Sequence, residues 1–472
     1  MKKFWFLALI GLLSACGGSR EVKNEPLPQA KSDTTIVVTN YTPLSGVKYR
    51  EDRSVDAKQP PVSLDFSKEN HPEAALDISK HASSVQFLTL RHPQSDSLGF
   101  HRNQALFINE QQGASMSNYS STVYPTGLGY LVSDLFSGLH LFDADGAFLE
   151  TIVSQQLPYK KDKTGALEVS RANMNGFGSL ISLHAADTII AYTLQSGTEG
   201  VKKVLWYDPV KKQNMMEAQH SREGIRYFPR YKLSDSLYFS NVSPWAAEPL
   251  LMRTFTPYGD TLCEFKDFAP RIERPRGNYV PPESLWTYFL DRQFHVRFPY
   301  NDTIFTLSSP YRLQPKYIVN MGANRVDAKA GMRGGQHGKL MPGRWIETPS
   351  HILFSYNMNQ DAPMGRQEGY VRYYYRLYDK QNHRMYALPY TLAPDELLLG
   401  NPIPGGLPFY YSDLRYIGAD NSFLIVYGKC DIEKILHDKS FSKLPNVQQV
   451  RVQECYEGLS EGELLLMRLS AL

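Results

Sequence analysis

The side chains able to do chemistry are scattered along this chain, and their spacing argues against most common reactions. Its 12 histidines form no H-E-x-x-H or His-x-His pair, so no local motif supplies the converging ligands of a zinc centre. Asp143-Ala144-Asp145-Gly146 begins like a calcium loop. It is too short, and no glutamate follows at the EF-hand distance. An Asp-Gly hairpin bend accounts for it better. No G-x-S-x-G nucleophile elbow occurs. The stretch Gly331-Met332-Arg333-Gly334-Gly335-Gln336-His337-Gly338-Lys339 has the glycines of a phosphate cradle but lacks the Gly-Lys-Ser/Thr ending, and reads as a loop. No catalytic residue, metal or cofactor is named by these patterns.

Ligand-facing aromatics are harder to set aside. Trp245, Trp286, Tyr288, Trp345 and Tyr374 could offer ring faces to a sugar or a peptide. The plainer account is that aromatic strand residues pack between sheets. In Tyr370-Val371-Arg372-Tyr373-Tyr374-Tyr375-Arg376 the period-two alternation puts Arg372, Tyr374 and Arg376 on one face. One face is core and the other wet, so the two arginines are candidates for a channel or an edge.

Cysteine usage bears on the compartment. Cys16, Cys263, Cys430 and Cys455 are the only cysteines, and no C-x-x-C pair exists. The N-terminus points to export: Lys2 and Lys3 precede the short apolar run Phe4 to Leu13. That run is about half of the roughly 20 residues needed to span a bilayer, as in a signal peptide. Leu13-Ser14-Ala15-Cys16 resembles the bacterial lipobox, in which the cysteine is acylated and becomes the mature N-terminus. The alternative is an ordinary signal peptide with a chance cysteine. Gly17 is not the aspartate of inner-membrane retention, so an outer-membrane lipid anchor on Cys16 is expected. Export permits disulfides, and Cys430 with Cys455 is the expected pair, leaving Cys263 as a buried thiol.

Residues 17–31 are rich in Gly, Pro, Lys and Glu without aromatics and read as a tether. The remaining chain of the 472 residues is long enough for a large core. A net charge of +3 argues against a nucleic-acid surface, which would show clustered Lys and Arg.

Short strand-length segments recur, among them Val85-Leu90, Leu180-Leu183, Thr188-Leu194, Ser236-Asn241, His351-Tyr356 and Phe423-Tyr427. Asp followed by Ser/Thr and Leu/Ile opens several, at Asp96, Asp187, Asp235, Asp260 and Asp302. An Asp carboxylate can accept from backbone N–H groups two residues on and close a turn before a strand. The complementary pattern is an aromatic strand entering a polar turn: Leu141-Phe142-Asp143, Leu205-Trp206-Tyr207-Asp208, Phe255 to Gly259, Tyr375 to Asp379, and more loosely Phe298 to Asp302. These landmarks recur at roughly the 40–50 residues of a propeller blade, or more where loops are inserted.

Taken in order, these motifs resemble the uncharacterised six-bladed β-propeller lipoproteins of Bacteroides-type bacteria. The resemblance rests on the Leu141 to Leu149 hairpin, Asn301-Asp302-Thr303-Ile304-Phe305, Pro404-Gly405-Gly406-Leu407-Pro408-Phe409 and the closing strand Glu463 to Leu469. The family's usual Asn-Pro before that strand is replaced by Glu461-Gly462. The Asp-Thr triplets also resemble the O-glycosylation acceptor of such organisms, with Thr34 of Asp33-Thr34-Thr35 the most accessible.

The expectation is therefore a lipoprotein signal peptide over 1–15, a lipidated N-terminus with tether and lead-in over 16–80, and a propeller over 81–472. The fold is all-β, six four-stranded antiparallel blades, with a short helical decoration around Ile432, Ile435 and Leu436. The stretch Met321 to Arg344 is expected to be an inter-blade loop. The implied role is binding or scaffolding of a glycan, peptide or envelope protein. The rival is a propeller enzyme such as a polysaccharide lyase or hydrolase.

Overall fold

A computed structural model describes residues 36–38 and 47–471, except 68–70, 75, 92–103, 110–112, 119–121, 135–136, 155–158, 162–166, 171–175, 181–187, 196–201, 221–230, 243–248, 268–284, 327–338, 359–371, 392–396 and 419–420. Cys16, Thr34 and Trp245 lie outside the described residues, as do Asp96, Asp187 and most of the glycine-rich loop.

The chain folds as a six-bladed β-propeller. From the axis outward, the first blade is Thr122–Thr126, Gly129–Asp134, Gly138–Phe142 and Phe148–Ser154. The second is Gly176–Leu180, Ile190–Gln195, Lys202–Asp208 and Gln213–His220. The third runs Tyr231–Ser234, Leu237–Asn241, Leu250–Phe255 and Thr261–Lys266. The fourth is Trp286–Leu290, Gln293–Arg297, Thr303–Ser309 and Arg312–Asn320. The fifth is Leu340–Glu347, His351–Met358, Arg372–Asp379 and Arg384–Thr391.

The sixth blade closes the ring. Its inner strands are Arg415–Ile417, Ser422–Tyr427 and the C-terminal Leu464–Ala471, and its outer strand is Ala82–Leu90, from the other end of the chain. Pairing runs from Ala82↔Ala471 to Leu90↔Leu464. The lead-in adds strands outside two blades: Ile36–Val38 lies parallel to the second blade's last strand, and Val62–Asp65 to the fourth's.

Six apolar clusters hold the wheel, one at each blade-to-blade interface. The cluster of Leu90, Val132, Phe142, Val426 and Leu466 joins the sixth blade to the first. A strand buried on both faces reads as a continuous apolar run, and Ser422–Tyr427 is buried at every position. No single blade could hide both faces alone, so stability comes from the closed stack.

Turn chemistry sets the hairpins. Asp143 Oδ1 accepts from the N–H groups of Asp145 (3.0 Å) and Ala147 (2.8 Å), so Asp143-Ala144-Asp145-Gly146 is a hairpin bend. Gly146 has φ 84°, and a Cβ there would meet Leu88 Cγ of the sixth blade at 2.8 Å. Asp208 and Asp379 repeat this capping at the same hairpin of the second and fifth blades. The copy from Phe298 to Asp302 differs: it joins the second and third strands of the fourth blade, with Asn301 Oδ1 accepting from Thr303 N at 2.8 Å.

Two expectations change. Of the stretch Met321 to Arg344, expected to be a loop, Leu340 to Arg344 belongs to the fifth blade's innermost strand, Leu340–Glu347. Near the C-terminus there are two helices, α1 (Lys429–Leu436) and α2 (Asn446–Gly458). In α1, Ile432 and Ile435 are buried; α2 buries only Gln448 and Val452 while Val447 and Val450 are exposed, so it carries no apolar stripe to read. Cys430 lies on α1 and Cys455 on α2, and both are half-buried. Among the described residues no helix is long and apolar enough to cross a membrane.

Candidate functional site

The innermost strands surround a cavity of about 300 Å³. It is lined from the first, second, fourth, fifth and sixth blades, by Tyr124 and Thr126, Leu180 and Ile190, Thr287 to Phe289, Arg344 to Glu347, and Arg415 to Gly418. Thr126, Glu347 and Ile417 are the last residues of their inner strands. The cavity therefore sits toward the end of the channel where first and second strands are joined by hairpins.

Glu347 is the charged centre of one wall. Its side chain is fully buried and pairs with Lys316 (3.0 Å) and Lys380 (2.6 Å). It also accepts from Tyr288 OH (2.5 Å) and Tyr317 OH (2.7 Å). Tyr288, Lys316 and Tyr317 belong to the fourth blade, Glu347 and Lys380 to the fifth. Burial alone would raise the Glu347 carboxyl, but the charges of Lys316 and Lys380 overcome it and bring it down to about 2. Burial and the adjacent carboxylate hold Tyr288 and Tyr317 far above the usual phenol value. His295, whose Nε2 is 3.2 Å from Lys316 Nζ, is pulled down to about 3 by burial and by the lysine charge.

Arg344 occupies the opposite side of the same strand. It donates to the carbonyls of Tyr411 (3.2 Å), Ser412 and Leu414, tying the fifth blade to the segment that opens the sixth. Burial draws its guanidinium down to about 10, and the charge of Arg415 acts in the same direction. The charge of Arg415 also reaches Tyr124. Arg344 and Arg415 thus both border a cavity whose other lining residues are largely apolar.

The comparisons with known proteins bear on the family. A family model described as a domain of unknown function, DUF4933, matches residues 44–438. The chain belongs to the DUF4933 family. The DUF4933 chain is similar to a crystal structure of a DUF4221 family member from Bacteroides vulgatus, at 8% identity and a TM-score of 0.40, covering 82% of this chain and 98% of that one. It is also similar to a protein of unknown function from Bacteroides thetaiotaomicron, at 9% identity and a TM-score of 0.32, covering 72% and 73%. No curated protein matches the sequence.

Within this DUF4933 propeller the expected ligand-facing residues part company. Trp286 packs in the core between the fourth and fifth blades, stacked on Trp345 with centroids 5.8 Å apart and under Arg297 at 4.4 Å. Trp345 shares that core while one side lines the cavity, and Tyr288 lines it with its hydroxyl committed to Glu347. Arg372, Tyr374 and Arg376 lie on the fifth blade's third strand, away from the cavity lining. Tyr374 stacks between Tyr356 (5.1 Å) and Tyr390 (6.0 Å), with Arg376 over Tyr356 and Arg372 over Tyr390. Sequence reasoning did not find Glu347, Arg344, Arg415 or Lys316. A lone acidic residue at a strand end carries no local signal. Among the described residues, no group of three or more His, Cys, Asp or Glu is placed to hold a metal.

Proposed function

We propose that this DUF4933 chain is an outer-membrane lipoprotein, anchored through Cys16, whose propeller binds a glycan, peptide or protein partner with the channel cavity as its gripping point. The observation that carries this reading is the concave site of about 300 Å³ with convergent polar groups on apolar walls, at the lower end of the roughly 300–1,000 Å³ of ordinary ligand pockets.

The electrostatics favour holding over proton transfer. General acids and bases work best with pKa values near the operating pH. Glu347 is held ionised by two lysines, and Tyr288 keeps its proton. Such groups fix a shape and a field. The lipid anchor rests on the Lys2 to Cys16 sequence alone.

The test has two parts. Cys16→Ser should move the full chain from the membrane fraction to the soluble one; continued membrane association counts against acylation. Glycan and peptide arrays probed with the full chain and with Ile417→Trp, which narrows the cavity, should show hits with the full chain that the variant loses. Ligands lost in the variant support the reading, and an array unchanged by Ile417→Trp sinks the channel as the site.

A further inference from the structure

The wheel has two unlike faces. Strands alternate in direction within a blade, so the hairpin joining the third and fourth strands lies on the same side as the one joining the first and second. That side also carries the mouth of the channel cavity. In three consecutive blades this outer hairpin bears an exposed Val or Tyr: Val210 in the second, Tyr258 in the third and Tyr311 in the fourth. Val210 is 76% exposed and Tyr258 43%. The lead-in adds the exposed Tyr49, which packs on Tyr311 at 5.1 Å and donates its backbone N–H to Leu262 O of the third blade at 2.8 Å. The matching hairpins of the first and fifth blades present Ala144-Asp145 and Gln381-Asn382 instead. Exposed apolar residues scattered singly need no explanation, but these share one side of one sector.

The entry of the chain marks the same sector. Ile36–Val38 runs parallel to Gln213–His220, and that strand begins at the Val210 hairpin. The chain therefore comes onto the second blade from the side on which Val210, Tyr258 and Tyr311 project. Carboxylates beside these tips are already engaged. Asp208 accepts from the backbone N–H groups of Val210 (3.0 Å) and Lys211 (3.1 Å) and pairs with Lys211 at 3.5 Å. Asp52 pairs with Arg312 at 3.4 Å, and Asp260 accepts from Thr256 Oγ1 at 3.3 Å.

We propose that the second, third and fourth blades rest these hairpin tips on a lipid bilayer surface. This rests on the lipid anchor at Cys16 and adds which side of the wheel meets the membrane. Tyrosine suits the headgroup zone, having an apolar ring and a polar end. Three tips on separate hairpins fit a deformable surface better than a protein partner, whose interface needs a contiguous, closely packed area. Cys16 precedes Ile36 by 20 residues, a reach of at most about 70 Å. An acyl chain at that distance keeps the wheel at high effective concentration near the bilayer, so individually weak contacts suffice. The wheel then tilts, and the cavity mouth stays open to water on the side of the first, fifth and sixth blades.

The experiment is fluorescence quenching of the full chain, extracted from membranes and mixed with excess vesicles. The vesicles contain equal parts of phosphatidylcholine and phosphatidylglycerol, with some headgroups carrying a nitroxide. Val210→Trp and Val447→Trp each add an indole at an exposed site. Val447 lies on α2, in the connection between the second and third strands of the sixth blade and hence on the opposite side. The added emission is read as the difference from the parent chain, whose described tryptophans are buried. Emission at 210 should be lost and emission at 447 retained. Tyr258→Ser with Tyr311→Ser should restore emission at 210. Retained emission at 210, equal loss at 447, or quenching at 210 unchanged by the tyrosine pair overturns the proposal. A chain that floats with the vesicles without quenching at 210 keeps the anchor and sinks the face. Quenching at 210 in a chain whose mass shows no acyl group keeps the face and sinks the anchor.

Discussion

Tyr288 of the fourth blade donates a 2.5 Å hydrogen bond to Glu347 of the fifth, and this contact joins two blades at the channel wall. Lys316 and Tyr317 reach the same carboxylate from the fourth blade, and Lys380 from the fifth. One buried charge is thus saturated by groups from both sides of an interface. Its weight lies in what its loss would leave behind.

Glu347→Gln should be strongly destabilising, because it strands two lysines beside a neutral group in a buried wall. Removing one partner of a buried ion pair costs about 3–5 kcal/mol. Glu347→Gln combined with Lys316→Met should recover part of that loss. Urea unfolding of the three proteins measures it; a single-variant cost below about 1 kcal/mol, the range of an exposed pair, would show that the hub does not hold the blades.

Stability should fall as the solution is acidified below neutrality. Burial, with the charge of His351, pulls His81 down to about 4 from an ordinary 6.5, and burial with Lys316 pulls His295 down to about 3. Between 6.5 and those values the unfolded chain takes up protons that the fold refuses, so the fold is fully stable above 6.5 and loses ground below it. Glu347, held at about 2 against an ordinary 4.5, acts in the same direction from 4.5 downward. Thermal midpoints across pH 3 to 8 should show this slope, and His81→Gln should flatten its upper part. A midpoint unchanged from pH 7 to 4 would contradict both histidine assignments.

Arg344→Gln should loosen the start of the sixth blade and little else. The carbonyls of Tyr411, Ser412 and Leu414 lose their donor, and an unsatisfied buried acceptor costs about 1–3 kcal/mol. Amide exchange should speed up locally around residues 409–418. A uniform rise across all blades would place Arg344 in global stability instead.

The thiols should report their burial. Cys263 is fully buried and pushed up to about 12 by burial and by Glu51 and Glu264, so it should resist alkylation until the chain unfolds. Cys430 and Cys455 are both half-buried, and the bridge expected between them should keep them from alkylation until a reductant is added. A thiol count that is the same with and without reductant would exclude the bridge.

The sequence by itself determined the local chemistry of the wheel. Asp143, Asp208 and Asp379 close their turns with their own neighbours, and the apolar run Phe423 to Tyr427 announces a strand covered on both faces. Such signals act over a few residues, so the recurrence of blades was legible without coordinates. Even there the reach was limited: α2 lacks an apolar stripe, and the strand at Leu340–Glu347 follows a glycine-rich stretch of sequence that masks it. What only the tertiary structure decided was which distant groups meet at the axis. Tyr288 and Glu347 are 59 residues apart, and Arg344 is 70 from Leu414. No periodicity encodes a contact between different blades. Closing the ring with Ala82–Leu90 against Leu464–Ala471 is what fixes the blades around one axis and brings their inner strands to a common cavity.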